Sequence, residues 1–425
     1  MSTTVTVTEP AKEAKREGLL PYDINLPYIR LSEETVTATK YPDYLPSWDK
    51  IWFDPLPPFH FDDPALRVKD KSKPNLLPPQ AKVTHIQPGL GTIVEGVQLS
   101  QLSDIGKDEL ALFIAERKVV AFPNQDLIDL GPSIQQDFMK YFGKPNYQPV
   151  SGSVRGYPGF HIIHRNGNKN EINRFLEKKS TTTLWHQDVS YEIQPPGYVM
   201  LGLLEGPEVG GDTVFADTAA AYKRLSPTFQ SLVDGINATH SSRNMITHTR
   251  LAGGLVRKDP VDNVHPLVRV HPVTNEKCLF INGEFITELH GLKEGETRVL
   301  LDFLLQHIIT GHDFQARVKW QPKTIVMFDN RSTLHSAIVD YIDEEKGAAP
   351  RHIFRLCAMA ERPVSVHDAA KVKKHYLLLE YVTDPNLTLL LDQTAFQTSH
   401  LTPIGCQQGD SNLIIIILLH IDDLH

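Results

Sequence analysis

Cysteine is scarce: Cys278, Cys357 and Cys406 are the only three in 425 residues, and they lie far apart. That usage excludes a disulfide framework and a cysteine-based zinc site, and fits reduced thiols inside a cell. Long apolar runs are missing as well. The longest, residues 413–419, falls far short of the roughly 20 residues that span a bilayer, so no membrane partner is expected. Positive charge is not in excess. Lys and Arg number 43 against 51 Asp and Glu, a net charge of -8 with no basic block, which argues against nucleic acid as a partner. The first sixteen residues lack the apolar stretch of a secretory signal, and a cytoplasmic location is expected. What remains is ordinary for a globular protein: 41% apolar and 22% charged residues, enough to bury a sizeable core. An acidic balance leaves room for a small acidic substrate, because a pocket can carry local arginine. Oligomerisation is left open.

Proline divides the chain. Residues 1–80 are rich in Pro, Asp and Lys, and the stretches Tyr41-Pro42-Asp43-Tyr44-Leu45-Pro46 and Asp54-Pro55-Leu56-Pro57-Pro58-Phe59 cannot be regular helix. Trp48, Trp52, Phe53, Phe59 and Phe61 between them suggest an arm that packs as coil over residues 20–65, with the first fifteen residues disordered. A main domain is expected over residues 81–363, and a tail of no assigned role over 364–425. Helices are expected from a cap at Asp104, over residues 132–142 (with Ile134, Phe138, Tyr141 and Phe142 on one side), from Thr218, from the Ser226-Pro227 cap, and over 294–309. Strands are expected at 119–122, 198–204, 213–216, 318–320, 324–328 and 353–360. Residues 143–160 and 166–170 read as mobile loops, and 237–265 as an excursion without periodicity. Many short strands with a few helices outside them predict an α+β, mainly β fold: a β-sandwich or jelly roll with flanking helices.

Chemistry concentrates in Trp185-His186-Gln187-Asp188-Val189. On a strand, residues two apart share a face, so the His186 imidazole and Asp188 carboxylate can converge on one small object. A lone His-x-Asp is weak, and the chain holds a second at His420-Ile421-Asp422. Two His and one carboxylate, however, make the facial triad of non-haem Fe(II) oxygenases, and His335 is a candidate third ligand. The Gly210-Gly211-Asp212-Thr213 stretch allows a tight turn. Thr213 would then open a strand, where its hydroxyl could meet a carboxylate or could simply serve β propensity. In Arg351-His352-Ile353-Phe354-Arg355 the two arginines share one strand face. Facing inward they would need anionic partners, while an exposed face is the equally open alternative.

The order of these motifs carries a resemblance. From about Val83 to Pro363 the chain resembles the taurine dioxygenase family of Fe(II)- and 2-oxoglutarate-dependent oxygenases, most of all its fungal sulfonate dioxygenase branch. The shared stretches are residues 185–189, 195–197, 210–213, 265–274, 279–282, 314–322, 329–331 and 351–355. The resemblance implies a double-stranded β-helix, or jelly-roll, core. It implies iron ligation by His186, Asp188 and His335, with Thr213 and Arg351 on the far carboxylate of 2-oxoglutarate. It places Arg355 beside both cosubstrate and substrate, and Gln148, the main chain of Val189 and Phe285 around the substrate. The implied reaction consumes O2 and 2-oxoglutarate and hydroxylates a small organic acid, a sulfonate then collapsing to an aldehyde and sulfite.

The departures lie around the substrate. Gln148 stands where taurine enzymes carry a sulfonate-binding His, Ser151 where they carry Tyr, and Thr182 where they carry Asn. An insertion at 343–349 lengthens the path from His335 to Arg351. Gln148 can hydrogen-bond but cannot be cationic. The same chemistry on a carboxylate, sulfate ester, purine or secondary metabolite is therefore the first alternative. A non-catalytic jelly-roll binding protein is the second. His161, His164, His240, His248, His265 and His271 read as structural, with the reservation that the loops around His161, His164, His240 and His248 could border the pocket.

Overall fold

Residue alternation along one strand explains the layering. In Pro196–Glu205, Val199, Leu201 and Leu203 enter one apolar cluster, while Tyr198, Met200 and Leu204 enter another on the opposite face. A strand buried on both faces reads as a continuous apolar run, which is how this one appears in sequence. The computed structural model describes residues 28–30, 39–165, 181, 183–341 and 350–371. The expectations for the first fifteen residues, for 166–170, Thr182 and 343–349, and for most of the tail lie outside the described residues.

Strands of the three larger sheets are numbered β1 to β14 in chain order. The main sheet has eight: β1 Lys82–His85, β2 Thr92–Glu95, β3 Val119–Phe122, β4 Lys144–Pro145, β5 Phe160–Arg165, β6 Pro196–Glu205, β12 Ile325–Asp329 and β14 Arg351–Met359. Their order is β1-β2-β3-β12-β6-β14-β4, with β5 also pairing β14. A second sheet runs β11-β7-β13, from Gln315–Val318, Thr213–Asp217 and Thr333–Ala337. Between the two sheets lie Val199, Leu201, Val326, Phe328, Ile353, Phe215, Ala316 and Val318. This is the jelly-roll core expected from the sequence. Each fully buried large side chain there contributes roughly 1.5–3 kcal/mol.

Helices α1 (Asp104–Arg117) and α2 (Pro132–Lys140) cover the outer face of the main sheet through Leu110, Phe113, Phe138 and Met139. Ser103, not Asp104, caps α1, its hydroxyl accepting from the Gly106 amide. Behind the second sheet, α3 (Thr218–Arg224), α4 (Pro227–Asp234) and α6 (Glu294–Ile309) enclose a third cluster with Ala216 and Leu334. The face expected for α6 needs correction: Leu304 and Ile308 are buried, but Val299 is 68% exposed. The helix touches the core with only part of its apolar stripe. Ile134 of α2 is exposed for the same reason.

The unpatterned region 237–265 is also ordered differently from expectation. It holds β8 (Asn237–Ser241), α5 (Arg243–Leu251) and β9 (Asp262–Pro266); the two strands join β10 (Ile286–Leu289) in a third sheet of order β9-β8-β10. Nor do residues 143–160 hang free. Ser47 and Ser153 exchange backbone hydrogen bonds of 2.8 Å, and Trp48 Nε1 donates to the Val150 carbonyl at 2.9 Å. The proline-rich arm therefore clamps that segment.

Candidate active site

His186 and Asp188 converge, but not on a strand. His186 forms an isolated antiparallel bridge to His335 of β13, with reciprocal N–H···O bonds of 3.0 Å, and Asp188 sits in the turn that follows. The turn is pinned by Asn330, whose Oδ1 accepts from the Asp188 amide at 2.8 Å and whose Nδ2 donates to the Asp188 carbonyl at 3.1 Å. Val189, next along, adopts φ +40°, a left-handed conformation costly for a β-branched residue and typical of positions held by function.

One ligand atom from each of His186, Asp188 and His335 lies within 4.8 Å of the others. His186 Nε2 is 3.5 Å from Asp188 Oδ1, and the two imidazole centroids are 4.2 Å apart. His186 Nδ1 donates to the Leu184 carbonyl at 2.8 Å, which leaves Nε2 bare toward Asp188. His335 is wedged between Phe215 and Phe328. Burial, then His186, pushes the His335 imidazole down to about 3, so it is neutral at physiological pH. Burial opposes charge on Asp188, but Arg355 and then His335 outweigh it and hold the carboxyl well below its ordinary range. Burial likewise opposes charge on His186, and Asp188 reverses the balance and raises it. A cation on Nε2, whether proton or metal ion, satisfies that pair.

The donor set fits a transition metal. Asp188 Oδ2 and His335 Nδ1 are buried with no hydrogen-bond partner among the described residues. Two imidazoles and an ionised carboxylate gathered within 4.8 Å of one another match non-haem Fe(II) ligation.

The cavity holds about 210 Å³, room for roughly seven waters. Its walls include His186, His335, Thr213, Arg351 and Arg355. The glycine pair builds the far end. Gly210 and Gly211 take φ +85° and +70°, and a Cβ on Gly211 would stand 3.3 Å from Arg351 Cδ. The Gly211 carbonyl accepts from Arg351 Nε at 2.9 Å, and Arg351 Nη2 reaches Thr213 Oγ1 at 3.5 Å. Arg351 is 4% exposed and has no carboxylate within 4 Å among the described residues. Burial lowers it to about 10, which still leaves it charged at neutral pH. A buried, charged guanidinium facing a cavity calls for an anion.

Arg355 is already engaged. Its Nη1 pairs with Asp188 Oδ1, and its Nη2 donates to His161 Nδ1 at 2.8 Å. His161 lies opposite Arg355 in the β5–β14 register and lines the cavity. Gln148, Val189 and Phe285, the other positions expected at the substrate, do not line this cavity. Gln148 and Val189 are buried, Val189 directly after Asp188, and Phe285 sits edge-on to Tyr191 with centroids 4.9 Å apart. The Tyr191 hydroxyl is buried without a partner among the described residues.

Two contributors were not singled out in the sequence as site residues. Trp320 Nε1 donates to Thr213 Oγ1 at 3.1 Å and so holds the cavity-lining hydroxyl in place. His161 was read as structural, and its place on the pocket wall came only as a reservation about its loop. Its signal would have been the alternating His161-Ile162-Ile163-His164 pattern, which puts 161 and 163 on one face.

A family model described as taurine catabolism dioxygenase TauD, TfdA family matches residues 82–357. An alpha-ketoglutarate (2-oxoglutarate)-dependent sulfonate dioxygenase of Saccharomyces cerevisiae is 42% identical over 341 residues, 79% of this chain and 82% of that protein. An alpha-ketoglutarate-dependent sulfate ester dioxygenase of Pseudomonas putida is 28% identical, over 65% of this chain and 89% of that protein. The crystal structure of a taurine dioxygenase from Burkholderia xenovorans superposes with TM-score 0.55 at 27% identity, covering 68% of this chain and 93% of that one.

Proposed function

This chain belongs to the taurine catabolism dioxygenase TauD/TfdA family, and from that premise we propose that it is an Fe(II)- and 2-oxoglutarate-dependent dioxygenase acting on a small organic sulfonate. His186, Asp188 and His335 hold the metal, and Arg351 with Thr213 holds the far carboxylate of 2-oxoglutarate. The observation that carries the reading is their placement: His186, Asp188 and His335 gather within 4.8 Å of one another, and His186, His335, Thr213 and Arg351 line a single cavity.

When bound, Fe(II) supplies the coupling of O2 reduction to decarboxylation of 2-oxoglutarate, which yields succinate, CO2 and a hydroxylated substrate carbon. The chain's own residues do the placing. Arg351 and Thr213 fix one end of the keto acid, and so set the angle at which its other end meets the triad. Leu184 holds the His186 tautomer, and Asn330 holds the Asp188 turn. Arg355 keeps Asp188 ionised. If the hydroxylated carbon carries a sulfonate, the C–S bond breaks, with sulfite leaving and an aldehyde remaining.

The free thiols Cys278 and Cys357 are both buried and suit a reducing compartment, in line with a cytoplasmic enzyme. Among the described residues no helix is long and apolar enough to cross a membrane.

The test is iron-dependent succinate release against a panel of alkyl sulfonates, alkyl sulfates and carboxylates. Sulfite release with at least one sulfonate is expected, and His186→Ala should reduce turnover to background. Full activity in that variant, or no iron-dependent consumption of 2-oxoglutarate by the unaltered chain, overturns the assignment. Turnover of sulfates alone would move the substrate to the sulfate ester class.

A further inference from the structure

Arg257 is one of the largest fully buried side chains, 1% exposed, and it stands outside the cavity just described. Its Nη2 donates to the Ser151 carbonyl at 2.6 Å and reaches the Gln148 carbonyl at 3.4 Å. Nε and Nη1 are buried with no partner among the described residues, and no carboxylate there lies within ion-pairing distance. Asp49 acts on it only at longer range, and burial prevails and lowers its proton affinity. Two of three guanidinium nitrogens thus face protein with nothing to donate to, an arrangement a buried cation tolerates only if an anion completes it.

We propose that Arg257 is the cation that receives the anionic head of the prime substrate, at a subsite between Gln148, Ser151 and Phe53. The proposal rests on the dioxygenase reading above and extends it to the substrate end. Three observations place it there. The Arg257 backbone is fixed to the 147–151 segment: its amide donates to the Pro149 carbonyl at 2.8 Å. That segment is the one expected at the substrate, and its residue 148 is neutral. It is also tied to the cavity, since the Ile162 amide donates to the Gly152 carbonyl at 2.9 Å and His161 is on the cavity wall. The charge of Arg257 reaches His161, whose imidazole is depressed by burial first, then by Arg355, with a smaller contribution from Arg257.

Arg355 does not make this cation redundant. Its charge is balanced by Asp188, and both of its terminal nitrogens are taken. The arm completes the outer wall. Phe53 donates its amide to the Arg257 carbonyl at 2.7 Å, lies 5.6 Å from the guanidinium, and stacks on Tyr147 at 4.8 Å. A sulfonate and a sulfate monoester share the required chemistry, a monoanionic head with three terminal oxygens.

The test uses the full chain. Pentanesulfonate, pentyl sulfate and 1-pentanol are titrated calorimetrically into metal-free protein, wild type, Arg257→Gln and Arg257→Lys. Gln keeps a donor for the Ser151 carbonyl without the charge; Lys keeps the charge. We expect Arg257→Gln to weaken both anions by roughly 30-fold or more, and the alcohol by no more than about threefold. Arg257→Lys should recover part of the loss. The tighter anion identifies the head group. In turnover, KM for the sulfonate should rise by the same factor while kcat stays within about threefold. Anion binding within about threefold of wild type in Arg257→Gln, or an equal loss for anions and alcohol, overturns the proposal. The binding arm needs no turnover, so an inactive wild-type chain would sink the dioxygenase reading without deciding this one.

Discussion

Arg351 shows how a single side chain can specify the charge of what a cavity takes. It is buried, charged, and held at one edge by the Gly211 carbonyl and Thr213, with the remainder turned to the cavity. Replacing it with Gln removes the charge but leaves a donor. We expect the KM for 2-oxoglutarate to rise by roughly 30-fold or more in Arg351→Gln, with Fe(II) binding in the absence of cosubstrate little changed. A KM within threefold of wild type would move the cosubstrate anchor elsewhere. At this scale spacing alone brought His186 and Asp188 together, whereas Thr213 and the Arg351–Arg355 face stayed open on spacing and were singled out only by the resemblance. Trp320, His161 and Arg257 have no such spacing. Their roles come from contacts across 107, 194 and 106 positions, which nothing local encodes.

Among the elements, Lys118 joins three. It ends α1, takes a left-handed φ of 63°, and places its buried ammonium 3.1 Å from Asp217, the cap of α3, and 3.0 Å from Glu276. Burial opposes charge on Glu276, but Lys118 and then Lys223 outweigh it and bring the carboxyl down to about 2. Because the folded value is depressed, the contribution is fully present above the unfolded value of about 4.3 and is lost as pH falls toward about 2. Melting temperature should therefore fall less steeply between pH 5 and pH 2 in Glu276→Gln than in wild type; parallel curves would refute the link. Helix α6 was legible end to end, since acidic residues open it and its apolar stripe is periodic. Strand β8 was not. Its sequence, Asn-Ala-Thr-His-Ser, has little apolar alternation to read, although Ala238 and His240 do point inward. The Asp188 turn was misread as strand because a His-x-Asp spacing suits both, and Asn330, far along the chain, decides between them.

Across the described chain, a buried charge network ties the arm to the metal-side strands. Arg331 is fully buried. It grips Asp329 through Nε and Nη2 at 2.9 and 2.7 Å, meets Asp63 of the arm at 2.5 Å, and covers the Tyr198 ring. Asp329 also accepts from His271 at 2.9 Å, and the Tyr198 hydroxyl donates to Asp63 at 2.6 Å. Arg331 lies four residues before His335, so the arm helps seat the strand that carries His335. Asp63→Ala should cost about 3 kcal/mol, the low end for a broken buried pair because Asp329 remains, read as a lowered urea midpoint. A loss below 1 kcal/mol would mean the arm rests on the domain without supporting it. The jelly-roll class was legible from strand density and motif order. The pairing was not, because β6 meets β12 and β14 across more than a hundred positions and no local pattern chooses those partners.

Strand β14 is the last of the fourteen to be synthesised, yet it lies inside its sheet, with β6 on one side and β4 and β5 on the other. A nascent polypeptide that has not reached Met359 presents β6 with an unfilled hydrogen-bonding edge beside an uncovered apolar face. Closure must wait for nearly the whole domain to leave the ribosome, and long-range pairings of this kind form late. A premature stop just ahead of Arg351 thus yields sticky, degradable polypeptide and not a weakened catalyst.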